Sequence, residues 1–256
     1  MSLQACAELV ERGDPDRFMA TMAAPPPTRA VLFPLYAFNL EVARAPWVAS
    51  EPMIAEMRLQ FWRDVVEEIG QGKPPRALEV VEPLAQAIQP ENAALLDDLI
   101  AARRWDIYRD AFEDEAHFNR YIDATAGNLA WVAARALGAA DEAESAIRDM
   151  AWGGGVAGFL RAVPELETRG RVPLLDGRPE GVKALADRAL TRFRQGKAAQ
   201  SAIPAAARPA LYAFWQAEPI LKAALANPLC VADGALVGSE FARRARLLLV
   251  SLTGRL

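Results

Sequence analysis

Along most of its length this chain repeats apolar positions at three- and four-residue steps, the spacing that lays a stripe down one face of an α-helix. In residues 54–69, Ile54, Phe61, Trp62, Val65 and Ile69 fall on one side while Glu67 and Glu68 fall outside it, so this face is expected to be core. Asp14-Pro15 reads as an N-cap followed by proline at the first helical position, and Ser50-Glu51-Pro52 opens a helix in the same way. The same pattern predicts helices over residues 25–45, 91–109, 115–137, 141–163, 179–195, 204–225 and 236–251. Alternating β-branched runs bounded by turns do not occur, so the fold class is all-α. Residues 164–178, with Pro164, Gly170, Pro173 and Gly177, form the longest expected loop. No low-complexity linker or fixed-period repeat divides the chain, which predicts one helical domain over residues 1–256.

Composition narrows the function classes. Of 256 residues, 52% are apolar and 24% charged, globular values that exclude wholesale disorder. The formal charge is −4, with 29 Lys and Arg against 33 Asp and Glu, and no basic stripe tracks a phosphodiester backbone, so nucleic acid is excluded as a partner. Cys6 and Cys230 lack the pairing of a zinc site or a disulfide scaffold, which points to a reducing compartment and a cytoplasmic protein. The N-terminal stretch has early acids and no basic region ahead of an apolar run, so no signal peptide is expected. The most apolar windows, RAVLFPLYAFNL and RLLLVSL, fall short of the roughly 20 residues that span a bilayer.

Three stretches carry candidate chemistry. Gly154, Gly155, Gly158 and Ala162 line one side of a helix, and the run Gly153–Gly155 costs about 1 kcal/mol per glycine relative to alanine. Such a strip serves either a tight helix crossing or a groove for an apolar ligand. In FPLYAFNLEVARAPW (33–47), Phe33, Tyr36, Ala37, Leu40 and Arg44 share a face, and Arg58 sits within the stripe of the next helix. An inward guanidinium there needs either an internal carboxylate such as Glu41 or Glu56, or a ligand phosphate. In YIDATAGNLAWVAARALG (121–138), Tyr121, Thr125, Gly127 and Asn128 interrupt an apolar helix, the mark of a kink or a lined pocket. His117, the only histidine, is expected to face solvent, and no nitrogen/sulfur metal set or nucleophile triad is present. Asp97-Asp98 and Glu113-Asp114-Glu115 read as solvated helix faces and first turns rather than Mg²⁺ sites.

Taken together these segments resemble the squalene/phytoene synthase family, whose members are all-α, with a central cavity in a bundle of the isoprenoid synthase type. LYAFNLEVARA (35–45) is similar to the helix of the family's first aspartate-rich motif and RLQFWRD (58–64) to its Arg-Leu-x-Trp-Trp-Arg segment. YIDATAGNLA (121–130) resembles its Tyr-x-Tyr-x-Val-Ala-Gly-Thr-Val-Gly segment, and FLRAVPELETRGRVPL (159–174) its second aspartate-rich segment. In the family, aspartates from two facing helices hold Mg²⁺ against a prenyl diphosphate. Laid on that pattern, Ala43, Arg44 and Trp47 stand at the first set of aspartate positions, and Ala162 and Leu166 at the second. Glu41 and Glu165 lie nearby, and Arg161, Arg169 and Arg171 remain as cations for an anion.

The resemblance therefore implies a protein without the Mg-binding aspartates, with no catalytic residue, metal or cofactor. Its cavity would be lined by Tyr36, Leu40, Arg44, Arg58, Tyr121, Thr125, Asn128, Gly154, Gly155, Gly158 and Arg161. Aspartate-poor members of the family include a mitochondrial assembly factor for respiratory complex I, which implies a helper role with an isoprenoid or lipid-like ligand or a protein partner in respiratory-complex assembly. Peripheral contact with the inner membrane accompanies that reading. The alternative is an active prenyltransferase on prenyl diphosphates, with Mg²⁺ held by Glu41, Glu165 or an unaligned acidic pair. A third reading is a scaffold that docks partners on an apolar patch at residues 209–225, where Leu211, Phe214, Trp215 and Leu221 at helical spacing are equally compatible with core.

Overall fold

The structure, a computed structural model, describes residues 3–48 and 51–256. Its helices are α1 (Leu3–Gly13), α2 (Pro15–Ala23), α3 (Arg29–Val48), α4 (Pro52–Gly70), α5 (Val81–Ala87), α6 (Ala93–Arg103), α7 (Trp105–Tyr108), α8 (Glu115–Ile122), α9 (Asn128–Ala136), α10 (Glu144–Thr168), α11 (Pro179–Ala198), α12 (Ala217–Ala226), α13 (Leu229–Ala232) and α14 (Glu240–Thr253). No strand occurs among the described residues, as the sequence pattern predicts. None of these helices is long and apolar enough to cross a membrane.

Local chemistry accounts for most boundaries. The Asp14 carboxylate accepts from the Arg17 N–H at 3.0 Å and Pro15 starts α2, while Asp114 caps α8 through the His117 N–H at 2.7 Å. Glu51 is the residue before α4; Ser50 lies outside the described residues. The polar interruption at 121–128 is a π-turn over Asp123–Gly127 that joins α8 to α9, with the Thr125 hydroxyl donating to the Tyr121 carbonyl at 2.7 Å.

Four expectations need correction. α10 runs through Pro164 to Thr168, so the loop starts later than 164: the buried Leu160 and Val163 hold the helix across the missing proline N–H. Residues 204–225 are not one helix but a 3-10 turn at Arg208–Phe214 followed by α12, whose Pro219 sits in the first turn, where an N–H needs no partner. α1 and α5, which lack capping signals, escaped the reading altogether. Ile54 is exposed because the buried face of α4 is centred on Ala55, Leu59, Trp62 and Val66, and Ile54 lies at its edge.

α10 is the axis of the molecule. It packs against α11 on one side and against the π-turn, α9 and α12 on the others. Buried side chains including Phe38, Trp152, Phe118 and Phe193 join in one cluster around it. One face of the second half of α10, at Gly158, Arg161 and Ala162, borders open space while Leu160 and Val163 are buried on another, and that opening positions the site.

Candidate functional site

Two chambers open along α10. The first, of about 470 Å³, lies between α10, the π-turn and the turn into α12, with Ile122, Ala126, Gly154, Gly158, Phe214 and Ile220 as apolar walls. Polar side chains line it as well, among them Asp14, Asp16, Arg17, Arg161 and Gln216. The second, of about 560 Å³, lies between α3 and α10 and shares Arg103, Tyr121, Phe159 and Ala162 with the first.

The glycines of α10 divide between packing and opening. A Cβ on Gly153 would stand 2.7 Å from the Phe193 Cβ and 2.8 Å from the Ala189 carbonyl, so Gly153 is the crossing point with α11. One on Gly154 would overlap the Phe214 ring, and one on Gly155 would lie 2.7 Å from the Ala126 Cβ and 2.9 Å from Ile122. A Cβ on Gly158 would meet nothing within 4 Å. The strip is therefore a close crossing at Gly153 and borders open space at Gly158.

The second chamber is built on a buried polar framework. The Tyr121 hydroxyl donates to the Asp106 carboxylate at 3.0 and 3.1 Å, and Arg103 donates to the same carboxylate at 3.2 Å and to the Tyr121 oxygen at 2.8 Å. Arg171, fully buried at its side chain, donates to the Asp106 backbone carbonyl at 2.8 Å and lies 3.9 Å from the centre of the Trp105 ring. Burial pulls the Arg171 guanidinium below its ordinary pKa against the attraction of Asp106. Burial would also pull Arg103 down, but Tyr121 and Asp106 more than offset it and raise its pKa. Burial raises the Tyr121 phenol, so its proton stays on.

Around this framework stand cations. Arg12, Arg44, Arg103 and Arg169 line the second chamber against two carboxylates, Asp106 and Glu165. Glu165 is paired to Arg169 at 2.6 Å, and Asp106 is taken by Tyr121, Arg103 and Arg171. Arg12 and Arg44 are exposed and have no carboxylate partner among the described residues. Ala43, Arg44 and Trp47 on α3 face the same chamber as Ala162 and Leu166 on α10, so the two motif segments converge on one space. A hard dication needs several free oxygen ligands. Among the described residues no group of three or more His, Cys, Asp or Glu side chains is placed to hold a metal ion, and this donor set does not fit a Mg²⁺ cluster. The arrangement suits an elongated amphiphile, with an apolar body along the first chamber and an anionic end among the arginines of the second.

The sequence-predicted residues distribute unevenly. Leu40 and Arg44 line the second chamber, Tyr121 both, and Thr125, Gly154, Gly155, Gly158 and Arg161 the first. Tyr36 is buried but borders neither: its hydroxyl donates to the Ala210 carbonyl at 3.4 Å, and burial pushes its phenol up to about 12. Asn128 also borders neither, since its side chain donates to the Leu95 carbonyl at 2.9 Å and accepts from Arg148 at 3.1 Å. Arg58 is a correction: it is exposed at the edge of the buried face of α4, and its expected partner Glu56 bonds Arg104 and Tyr108 instead. Helical spacing alone cannot separate the centre of a stripe from its edge. His117 is half-buried, edge-on to Phe112 at 5.3 Å, rather than facing solvent. Leu211, Phe214, Trp215 and Leu221 are all buried, so residues 209–225 are core and no partner patch. Arg12, Arg103 and Asp106 escaped the sequence reading, although Arg103 and Asp106 flank Trp105 at a helical i,i+3 spacing.

Comparison with known proteins follows this geometry. The profile described as squalene/phytoene synthase matches residues 10–174. Among curated proteins, the NADH dehydrogenase (ubiquinone) complex I assembly factor 6 of Bos taurus is 29% identical over 170 residues, covering 65% of this chain and 51% of that protein. The Drosophila melanogaster homolog is 29% identical over 167 residues, covering 62% and 50%. The chain thus spans about half the length of the curated relatives it matches. Among solved structures, a dehydrosqualene synthase in complex with ligand superposes with a TM-score of 0.80 at 14% identity, covering 98% of this chain and 95% of that one. A squalene synthase from Alicyclobacillus acidocaldarius gives a TM-score of 0.72 at 18% identity, covering 87% and 92%. The likeness establishes the all-α isoprenoid synthase fold.

Proposed function

Because this chain belongs to the squalene/phytoene synthase family, we propose that it is a non-catalytic member that holds an isoprenoid or other lipid-like molecule in its joined chambers and assists respiratory-complex assembly. It has lost the family's Mg-binding aspartates, needs no cofactor, and works in the cytoplasm at the periphery of the inner membrane with a protein partner. One observation carries this reading. The two segments that resemble the aspartate-rich motifs converge on one chamber, and there they present Ala43, Arg44, Trp47, Ala162 and Leu166. A diphosphate held by arginines has no Lewis acid to stabilise its departure, so binding is retained while ionisation is not. Likeness to the complex I assembly factors supports the helper role.

The test is a thermal-shift titration with farnesyl diphosphate, geranylgeranyl diphosphate and farnesol, each with Mg²⁺ and with EDTA, alongside an assay for released pyrophosphate. A ligand at about a hundred times its dissociation constant adds about 2.7 kcal/mol of stability. Stabilisation that persists in EDTA without pyrophosphate release is expected. Release of pyrophosphate that depends on Mg²⁺ would overturn the proposal and restore the prenyltransferase reading, in which Glu165→Gln should abolish turnover.

A further inference from the structure

The last helix carries its apolar face away from the protein. Phe241, Leu248, Leu249 and Leu252 of α14 are 83%, 60%, 61% and 74% exposed. At 100° per residue Phe241, Ala245, Leu248 and Leu252 form one narrow stripe with Leu249 beside it, opposite the buried Val250. The inner side is pinned by polar contacts: Arg243 donates to Gln216 at 2.9 Å and pairs with Asp16, and the Ser251 hydroxyl donates to the Ala23 carbonyl at 2.9 Å. The outward face is therefore a fixed feature of a docked helix.

Charge selects what covers it. Arg243, Arg244, Arg246 and Arg255 stand against the single acid Glu240 in this segment, a local +3 in a chain whose formal charge is −4. Arg244 borders the apolar stripe, the half-buried Arg246 lies beyond Leu249 toward Val250, and Arg255 follows the helix. An exposed apolar stripe bordered by arginines fits the boundary between acyl chains and anionic headgroups, where each cation near the surface adds attraction. Position supports the same occupant. The partners of Arg243, Asp16 and Gln216, line the first chamber, and Asp16 also pairs with Arg161 at 2.9 Å. The inner side of α14 thus sits beside the first chamber, with the apolar stripe on the helix's outer side.

We propose that α14 docks this protein on an anionic lipid membrane, with Phe241, Leu248, Leu249 and Leu252 in the acyl boundary and Arg244, Arg246 and Arg255 on headgroup phosphates. This rests on the reading that the protein works at a membrane periphery, and it names the surface that does so. Docking there leaves the first chamber one helix diameter, roughly 10 Å, from the bilayer that would supply a lipid-like ligand.

Cosedimentation of the full chain with vesicles of phosphatidylcholine, alone or mixed with phosphatidylglycerol, tests it. Wild type should bind the mixed vesicles at least about tenfold better than the neutral ones, since three added headgroup contacts are in play. Phe241→Ser with Leu252→Ser should lower binding by at least about tenfold, and Arg244→Glu with Arg246→Glu should remove the preference for anionic vesicles. Both pairs are on the surface, and an unchanged melting temperature checks that they fold. Mixed-vesicle binding unaffected by either pair would overturn the assignment to α14 while leaving peripheral contact in place. Absence of binding by wild type would overturn both. A wild-type dimer that the serine pair dissociates, with vesicle binding intact, would make the face a self-association surface and also overturn the proposal.

Discussion

The first and second halves of α10 use small residues for opposite purposes. Up to Gly155 each missing Cβ is filled by a neighbour, Phe193 and the Ala189 carbonyl at Gly153, Phe214 at Gly154, and the π-turn at Gly155. At Gly158 the space is left open, and Ala162 and Leu166 face a chamber edged with arginines. The same residue type thus gives close contacts at Gly153–Gly155, two of which still border the first chamber, and open space at Gly158. What decides between them is the partner element. α11 lies directly against the first half, whereas α3 stands across a gap from the second.

The largest expected effect falls on the framework of the open half. Asp106→Ala leaves the buried Arg171 and Arg103 without their shared carboxylate and should destabilise the protein by about 3–5 kcal/mol, measured by urea denaturation. A change under about 1 kcal/mol would mean that the open half has no buried polar support. Gly153→Ala in the closed half should cost about 1–3 kcal/mol, because the Ala189 carbonyl cannot move aside without disturbing α11. Gly158→Ala, which meets open space, should instead stabilise by up to about 1 kcal/mol through helix propensity. Equal midpoints for these two variants would erase the distinction between the halves.

Acid should loosen the seam between α11 and α12 through Glu218. Burial opposes ionisation of Glu218, yet Lys222, Lys197 and Arg194 hold its pKa at about 2 instead of the ordinary 4.5, tying α12 to α11. A carboxyl lowered in the folded state stabilises it above pH 4.5, and that contribution drains away as the pH falls toward about 2. Melting temperatures of Glu218→Gln should therefore fall less steeply than wild type across that window. The smallest stability effect belongs to Arg12→Ala with Arg44→Ala, within about 0.5 kcal/mol because neither arginine is partnered. The same pair should weaken the thermal shift given by farnesyl diphosphate in EDTA while sparing that of farnesol. Equal loss for both ligands would separate these arginines from headgroup recognition.

Much of the fold was legible because helix signals are local. Apolar periodicity, Asp14 before Pro15 and the polar break at Tyr121–Asn128 each act within a few residues, and each corresponds to an element found in place. The segments resembling family motifs located α3, the π-turn and α10 as the walls of the cavity. The site was legible in part. Spacing assigns a face, and Leu40, Arg44, Tyr121 and the α10 residues Gly154, Gly155 and Gly158 line the chambers; spacing does not mark where a stripe ends, and Arg58 is exposed. Asn128 read as a pocket residue because a buried amide looks alike in sequence whether it meets a ligand or, as here, the Leu95 carbonyl.

The sequence by itself determined that the chain is helical, and it placed Ala43, Arg44, Trp47, Ala162 and Leu166 in the segments that resemble the family's motifs. Only the tertiary structure decided which glycines are filled and which are open. It also decided that Arg103, Asp106, Tyr121 and Arg171 meet and that the apolar face of α14 points away from the core. The reason is range. Helix formation depends on neighbours three and four residues away, whereas a cavity, a buried ion network and an uncovered face depend on what other elements bring to the same place, and no local pattern records it.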